Sequence, residues 1–130
     1  MKSKNRSAIE KAWHNTVAQY GRESGWLNKV FGGKVLDPYQ FQLDHALGAQ
    51  TKRKINLVSV KVGEFAVLPM PIELHDLTSK HPLNRTTNPA AFKREFGCPL
   101  ILWRDFVLEM RERGVELPFG DDIIKAIVEG

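Results

Sequence analysis

Between Ser7 and Tyr20 the apolar residues Ile9, Ala12, Trp13, Val17 and Tyr20 recur at spacings of three and four, the period of a helix with one buried stripe. Gly21 follows where a C-terminal cap belongs, so the helix is expected to end there. Residues 21–37 (GRESGWLNKVFGGKVLD) are rich in glycine and lack a clear period, and they read as a structured loop. In YQFQLDH the period changes to two. Tyr39, Phe41 and Leu43 alternate with Gln40, Gln42 and Asp44, which predicts a strand half buried on one face. Asp44 and His45 close that strand and point to opposite faces.

After Gly48 the charged run Thr51-Lys52-Arg53-Lys54 reads as an exposed loop. The runs INLVSVKV (55–62) and EFAVLPM (64–70) then predict two strands joined as a hairpin at Gly63-Glu64. Pro69 and Pro71 are expected to end the second strand, and Pro71 suits the first position of a short helix that carries His75. HPLNRTTNP (81–89) is too polar and too broken by proline to be regular. Asn88-Pro89 opens AAFKREFG, and Pro99 opens a longer helix through Arg113 with Leu100, Trp103, Val107 and Met110 on one face and Gly114 at its end. In the last helix, DDIIKAIVE, two aspartates complement the dipole at the N-terminus. The fold class is α+β, with a small antiparallel hairpin and helix flanked by N- and C-terminal helices.

Composition narrows this picture. The 130 residues suffice for one core, so residues 1–130 read as one domain, with a basic arm over 1–7 and an acidic helical segment over 105–130. No run of about 18 apolar residues exists to span a membrane, and the charged start MKSKNRSAIEKAW lacks the apolar stretch of a secretory signal, which points to the cytoplasm. The lone Cys98 excludes an internal disulfide and a cysteine-built zinc site, so any metal must be held by His, Asp, Glu or Asn. Residues 1–104 carry 16 Lys and Arg against 8 Asp and Glu, and residues 105–130 carry 3 against 7, which together make the net +4. Such a distribution suits a polyanion met by one face.

Three of the four histidines, with Asp44, flank one strand-to-helix unit. Asp44 with His75 or His81 would give a mixed oxygen and nitrogen set suited to one divalent ion (Mg, Mn, Zn or Ni), and the His45 imidazole could take a proton from water. Each histidine also has an ordinary reading as a surface or hydrogen-bonded residue. His14, on the polar side of the first helix beside Trp13, is read as structural. Lys52, Arg53 and Lys54 are candidates to touch a phosphate backbone.

With those residues in view, the segments DHALG, LPMPIELH and HPLNRTTNPAAFKREFG, in that order from about Trp13 to Arg113, resemble the phage and prophage recombination-enhancement nucleases, the Ref-like branch of the HNH (ββα-metal) endonucleases. The matching positions are His45 at the first strand's end, Leu68-Pro69, His75, His81 with Asn84, and Phe92 to Gly97. The early helix IEKAWHNTVAQYG is similar to the family's lead-in. The resemblance implies a ββα-metal core and a metal-dependent endonuclease or nickase that hydrolyses DNA phosphodiesters, phage or prophage encoded and linked to recombination, with a recombinase filament as a further partner.

On the same basis His45 would be the general base, Asn84 would orient it or the ligand loop, and Asp44, His75 and His81 would hold the ion. Lys52, Arg53, Lys54 and Arg85 would meet DNA. Many relatives carry a Cys-x-x-Cys knuckle before the first strand or a cysteine in the Leu-Pro turn, where this chain has the segment from Asn28 to Gly33 and Met70. A structural zinc is therefore not expected, and Trp26, Leu27, Val30 and Phe31 must hold that loop. The His-His pair of many relatives is here Asp44-His45, which is also where a decayed enzyme would first depart. The alternative is an inactive HNH-fold protein that binds DNA or inhibits another nuclease.

Overall fold

A computed structural model describes residues 6–130, so residues 1–5 of the expected basic arm lie outside the described residues. The first helix, α1 (Ala8–Glu23), begins with a capping box: the Ser7 hydroxyl accepts from the Glu10 N–H, and the Glu10 carboxylate accepts from the Ser7 N–H. It does not stop at Gly21. A side chain there would begin 2.9 Å from Pro69 Cγ, so Gly21 is a point of close approach to the sheet instead of a cap, and the helix runs on past it.

The stretch expected as loop over 21–37 contains a further helix, α2 (Trp26–Phe31). Its apolar residues Trp26, Leu27 and Phe31 are buried, and Trp26 stacks edge-on with Phe31 and with Phe106 at 5.6 and 4.7 Å between ring centroids. Burial of these rings holds a turn and a half of helix that has no period long enough to be legible.

The strands differ from the expected pairing. β1 (Phe41–His45) pairs antiparallel with β4 (Val67–Pro71), with Asp44 opposite Leu68 and His45 opposite Val67. The hairpin lies between them in sequence and is formed by β2 (Lys52–Ile55) and β3 (Val58–Lys61), with Lys52 opposite Lys61. The charged run read as loop is thus a strand, and Gly63-Glu64 is a turn between β3 and β4 that joins no pair. The reversal is made at Asn56 and Leu57, both with positive φ (51° and 69°). Two left-handed residues in succession are what a tight hairpin turn requires, and Asn-Gly is the dipeptide that normally signals it. A leucine in the second place costs about 1 kcal/mol and hides the signal.

β4 is buried over its whole length and carries both Pro69 and Pro71. In a two-stranded sheet one edge of β4 needs no ladder partner, which is where a proline is tolerated. The strand leads at once into α3 (Ile72–His75), a single turn started at Pro71. Three more helices follow: α4 (Pro89–Phe96), α5 (Pro99–Glu112) and α6 (Asp121–Glu129). They match the helices expected from proline starts and the apolar period. Helices α1, α2 and α5 cover β4, with Val17, Leu27, Leu68, Met70, Trp103, Phe106 and Met110 fully or almost fully buried between them. The architecture is α+β, with six helices and two small antiparallel sheets among the described residues. No helix among them is long and apolar enough to cross a membrane.

Candidate metal centre

The end of β1 is where polar groups are drawn into this apolar frame. Successive side chains on a strand point to opposite faces, so Asp44 and His45 enter two separate clusters.

On the first face, Asp44 is buried and both of its oxygens are taken by one guanidinium. Arg85 Nε donates to Oδ2 at 2.5 Å and Nη2 to Oδ1 at 3.1 Å, while Nη2 also donates to the His45 carbonyl at 3.0 Å. His75 Nε2 stands 3.5 Å from Asp44 Oδ1, and His75 Nδ1 donates to Gln42 Oε1 at 2.6 Å. A planar guanidinium matches a carboxylate edge to edge, so this pairing fills the two lone-pair directions a cation would use.

Asn84 makes that pairing possible. Fully buried, it donates through Nδ2 to the carbonyls of Glu73 and Asp76 (3.0 and 2.9 Å) and accepts through Oδ1 from the N–H groups of Thr86 and Thr87 (2.8 and 3.0 Å). All four hydrogen-bonding positions of its amide are used on backbone, so it clasps the segment after α3 and presents Arg85 to Asp44. None of these bonds reaches His45. His81 is also engaged at both ring nitrogens: Nε2 donates to the Lys34 carbonyl at 2.8 Å, and Nδ1 accepts from the Leu83 N–H at 3.0 Å. Of the ligand set expected over Asp44, His75 and His81, the structure brings together Asp44 and His75, with Arg85 between them and the role of an ion. His81 ties the loop after α3 to the loop after α2. As they stand these residues do not fit a divalent ion.

The second face gathers around Glu64. This residue sits in the turn between β3 and β4, where Gly63 is the only residue possible, because a Cβ there would meet the Gly48 carbonyl oxygen at 2.0 Å. The turn is pinned from two helices. The Phe65 carbonyl accepts both indole N–H groups, Trp13 Nε1 from α1 and Trp103 Nε1 from α5, each at 3.0 Å. His14, one residue after Trp13, donates from Nε2 to the Glu64 carbonyl at 2.9 Å. These three bonds aim the buried Glu64 side chain at the end of β1.

There Glu64 Oε1 meets His45 Nε2 at 2.8 Å, His14 Nε2 at 3.3 Å and Arg6 Nε at 3.2 Å. The two imidazoles lie edge to face, 5.7 Å apart. Burial pushes the His14 ring below its ordinary pKa, more than the Glu64 carbonyl bond raises it, which favours the neutral ring. Burial alone would raise the Glu64 carboxyl, but the donors His45 and Arg6, with their charge, hold it below the usual value.

One nitrogen from His14, one from His45 and one Glu64 oxygen all lie within 4.8 Å of one another, close enough to hold a metal ion. Ligand bonds of about 2.0–2.2 Å in a tetrahedron put neighbouring ligand atoms about 3.4 Å apart. The His14 to Glu64 distance is at that spacing, and the His45 to Glu64 distance is about half an ångström shorter, a difference that rotation of the half-exposed His45 ring removes. Binding an ion requires the ring protons to move to Nδ1, and His14 to exchange its carbonyl bond for a ligand bond. Two histidines and a glutamate form a three-ligand set that leaves a position open, the pattern of catalytic rather than structural sites. The opening is on the His45 side, whose side chain is 25 % exposed, whereas Glu64 and His14 are buried.

Glu64 and His14 were not singled out by the sequence pattern. The only trace is that Glu64 is the one charged residue in the otherwise apolar and glycine run Val62–Val67. The basic residues also separate. Lys52 and Lys54 face solvent on one side of the β2–β3 ribbon, while Arg53 turns to the other and donates from Nε to the Ala126 carbonyl of α6 at 3.2 Å. Comparison with family models, with curated proteins and with solved structures finds no match to this chain.

Proposed function

We propose that the chain is a metal-dependent phosphodiesterase acting on DNA, an endonuclease or nickase of HNH type whose ion is held by His14, His45 and Glu64. The observation that carries this reading is the convergence of two imidazole nitrogens and a buried carboxylate at the half-open end of β1. The order of elements supports it: β1 and β4 form an antiparallel pair that leads directly into α3, as the HNH resemblance implies. The ligand positions differ from those the resemblance implies, and His45 changes from general base to ligand.

A divalent ion held by His14, His45 and Glu64 would supply a lowered pKa for water and positive charge for a phosphate; a borderline cation such as Zn, Mn or Ni would suit two nitrogens and one oxygen better than Mg. The protein's own groups do the rest. Trp13 and Trp103 fix the Phe65 carbonyl and with it Glu64. Arg6, on the same oxygen, compensates the buried carboxylate and must yield part of its bond when an ion binds. The recombinase partner and the phage origin rest on the resemblance alone.

Plasmid DNA incubated with Mg, Mn, Ni or Zn tests the reading. Nicking or cutting is expected with at least one ion, and loss of product with chelator, with His45→Ala and with Glu64→Gln. Cutting that survives all three treatments sinks it. A second reading, a protein of this fold that binds DNA or a nuclease without cutting, is favoured by one feature: Arg85 already occupies Asp44 where the family's ion would lie. That reading expects salt-sensitive binding and no product with any ion.

A further inference from the structure

The β2–β3 ribbon carries three features that have no structural benefit. Lys52 and Lys61 are direct cross-strand partners, a like-charge pair that weakens a ribbon. By alternation Lys52 and Lys54 lie on one face together with Ser59 and Lys61, so three ammonium groups share a side while Arg53, Ile55, Val58 and Val60 share the other. Among the described residues Lys61 reaches one acid, Glu10, at 3.9 Å. At the tip, Leu57 holds φ +69° where glycine belongs, and 93 % of its surface is exposed; Val58 beside it is 60 % exposed. A bulky residue in a left-handed conformation that packs against nothing is not retained for folding.

The ribbon is nevertheless held in place. Arg53 ties β2 to the end of α6, and Val60 packs on the core. Lys54 and Ile55 line a cleft with Asp122, Lys125 and Glu129 of α6, so this helix sets both signs of charge beside Lys54. Three ammonium groups on one face attract a polyanion to that face.

We propose that this ribbon is a duplex-DNA contact element, with Lys52, Lys54 and Lys61 on the phosphates and Leu57 as an apolar wedge at a base step in the minor groove. It rests on the DNA-directed reading above and adds to it where duplex is gripped and which residue deforms it. Apolar tips of this kind partly unstack a step and bend the helix, and they favour the flexible pyrimidine–purine steps.

Binding of fluorescein-labelled duplex to the full chain, followed by anisotropy in chelator so that cutting cannot intervene, tests the proposal. Leu57→Gly restores the preferred Asn-Gly turn. It is expected to raise the melting temperature by a few degrees while weakening duplex binding by about fivefold, opposite signs that a merely structural role cannot produce. Lys52→Gln with Lys54→Gln is expected to lower the slope of log K against log salt by about 2 without loss of melting temperature. Wild-type affinity in Leu57→Gly overturns the wedge, and an unchanged salt slope in the double variant overturns the phosphate face. Binding of an acidic protein but not duplex by the wild-type chain overturns both. If no ion supports cutting while ribbon-dependent binding persists, the active-site reading fails and the ribbon proposal stands.

Discussion

Asp44 and His45 are neighbours in the chain, yet they belong to two polar clusters of opposite character on the two faces of β1. On the Asp44 face the cation is supplied by the protein: Arg85 closes on the carboxylate with two bonds, and Asn84 clasps the loop that delivers it. Every strong partner there is already matched. On the His45 face an acid and two histidines converge on one point, and the compensating Arg6 bonds through a single nitrogen from a half-exposed side chain. The first arrangement is a structural lock, and the second is a three-residue set that could hold an ion. The same residue types thus make a clasp or a site according to whether the positive charge comes from the chain or from outside.

That contrast can be broken from either side. The largest effect is expected from Glu64→Gln, which keeps shape and removes the charged ligand. Metal-supported cutting should fall by at least about 100-fold while the far-UV spectrum is unchanged. Next is Asp44→Asn, which leaves the Arg85 guanidinium largely buried with a neutral partner. Urea unfolding should show a loss of about 3 kcal/mol, and the double replacement Asp44→Leu with Arg85→Met should lose less than Asp44→Asn alone. An Asp44→Asn chain of unaltered stability that no longer cuts DNA would move the reacting centre to the other face. Asn84→Ala removes four side-chain to backbone hydrogen bonds made from a buried position, and a loss of about 2 kcal/mol is expected in the same measurement, with metal affinity unchanged.

The helices α5 and α6 were legible because proline or acidic starts, an apolar period and glycine ends agree with one another. β1 was legible from its alternation, and with it the divergence of Asp44 and His45. The pairing of β1 with β4 was not, because the intervening ribbon presents its lysines as a charged run and makes its turn with Asn56-Leu57 in place of Asn-Gly. α2 has too few residues to show a period, and the burial of Trp26, Leu27 and Phe31 holds it. The candidate site was half legible. Position at a strand end marks His45, but nothing local marks Glu64, 19 residues on, or His14, 31 residues before; their meeting is decided by two tryptophans that grip one carbonyl from different helices. Asn84 and His81 were visible as polar residues in a broken segment, and only the folded chain reveals that all their hydrogen-bonding capacity is spent on backbone.

The proposed ion site is His14, His45 and Glu64, and not Asp44 and His75. Calorimetric titration of the chelator-treated chain with Zn and Mn, run on the wild type, His14→Ala and Asp44→Asn at a temperature where all three are folded, tests it directly. One ion per chain is expected for the wild type and for Asp44→Asn, and none for His14→Ala. Binding that persists in His14→Ala and vanishes in Asp44→Asn would place the ion on the Asp44 face instead.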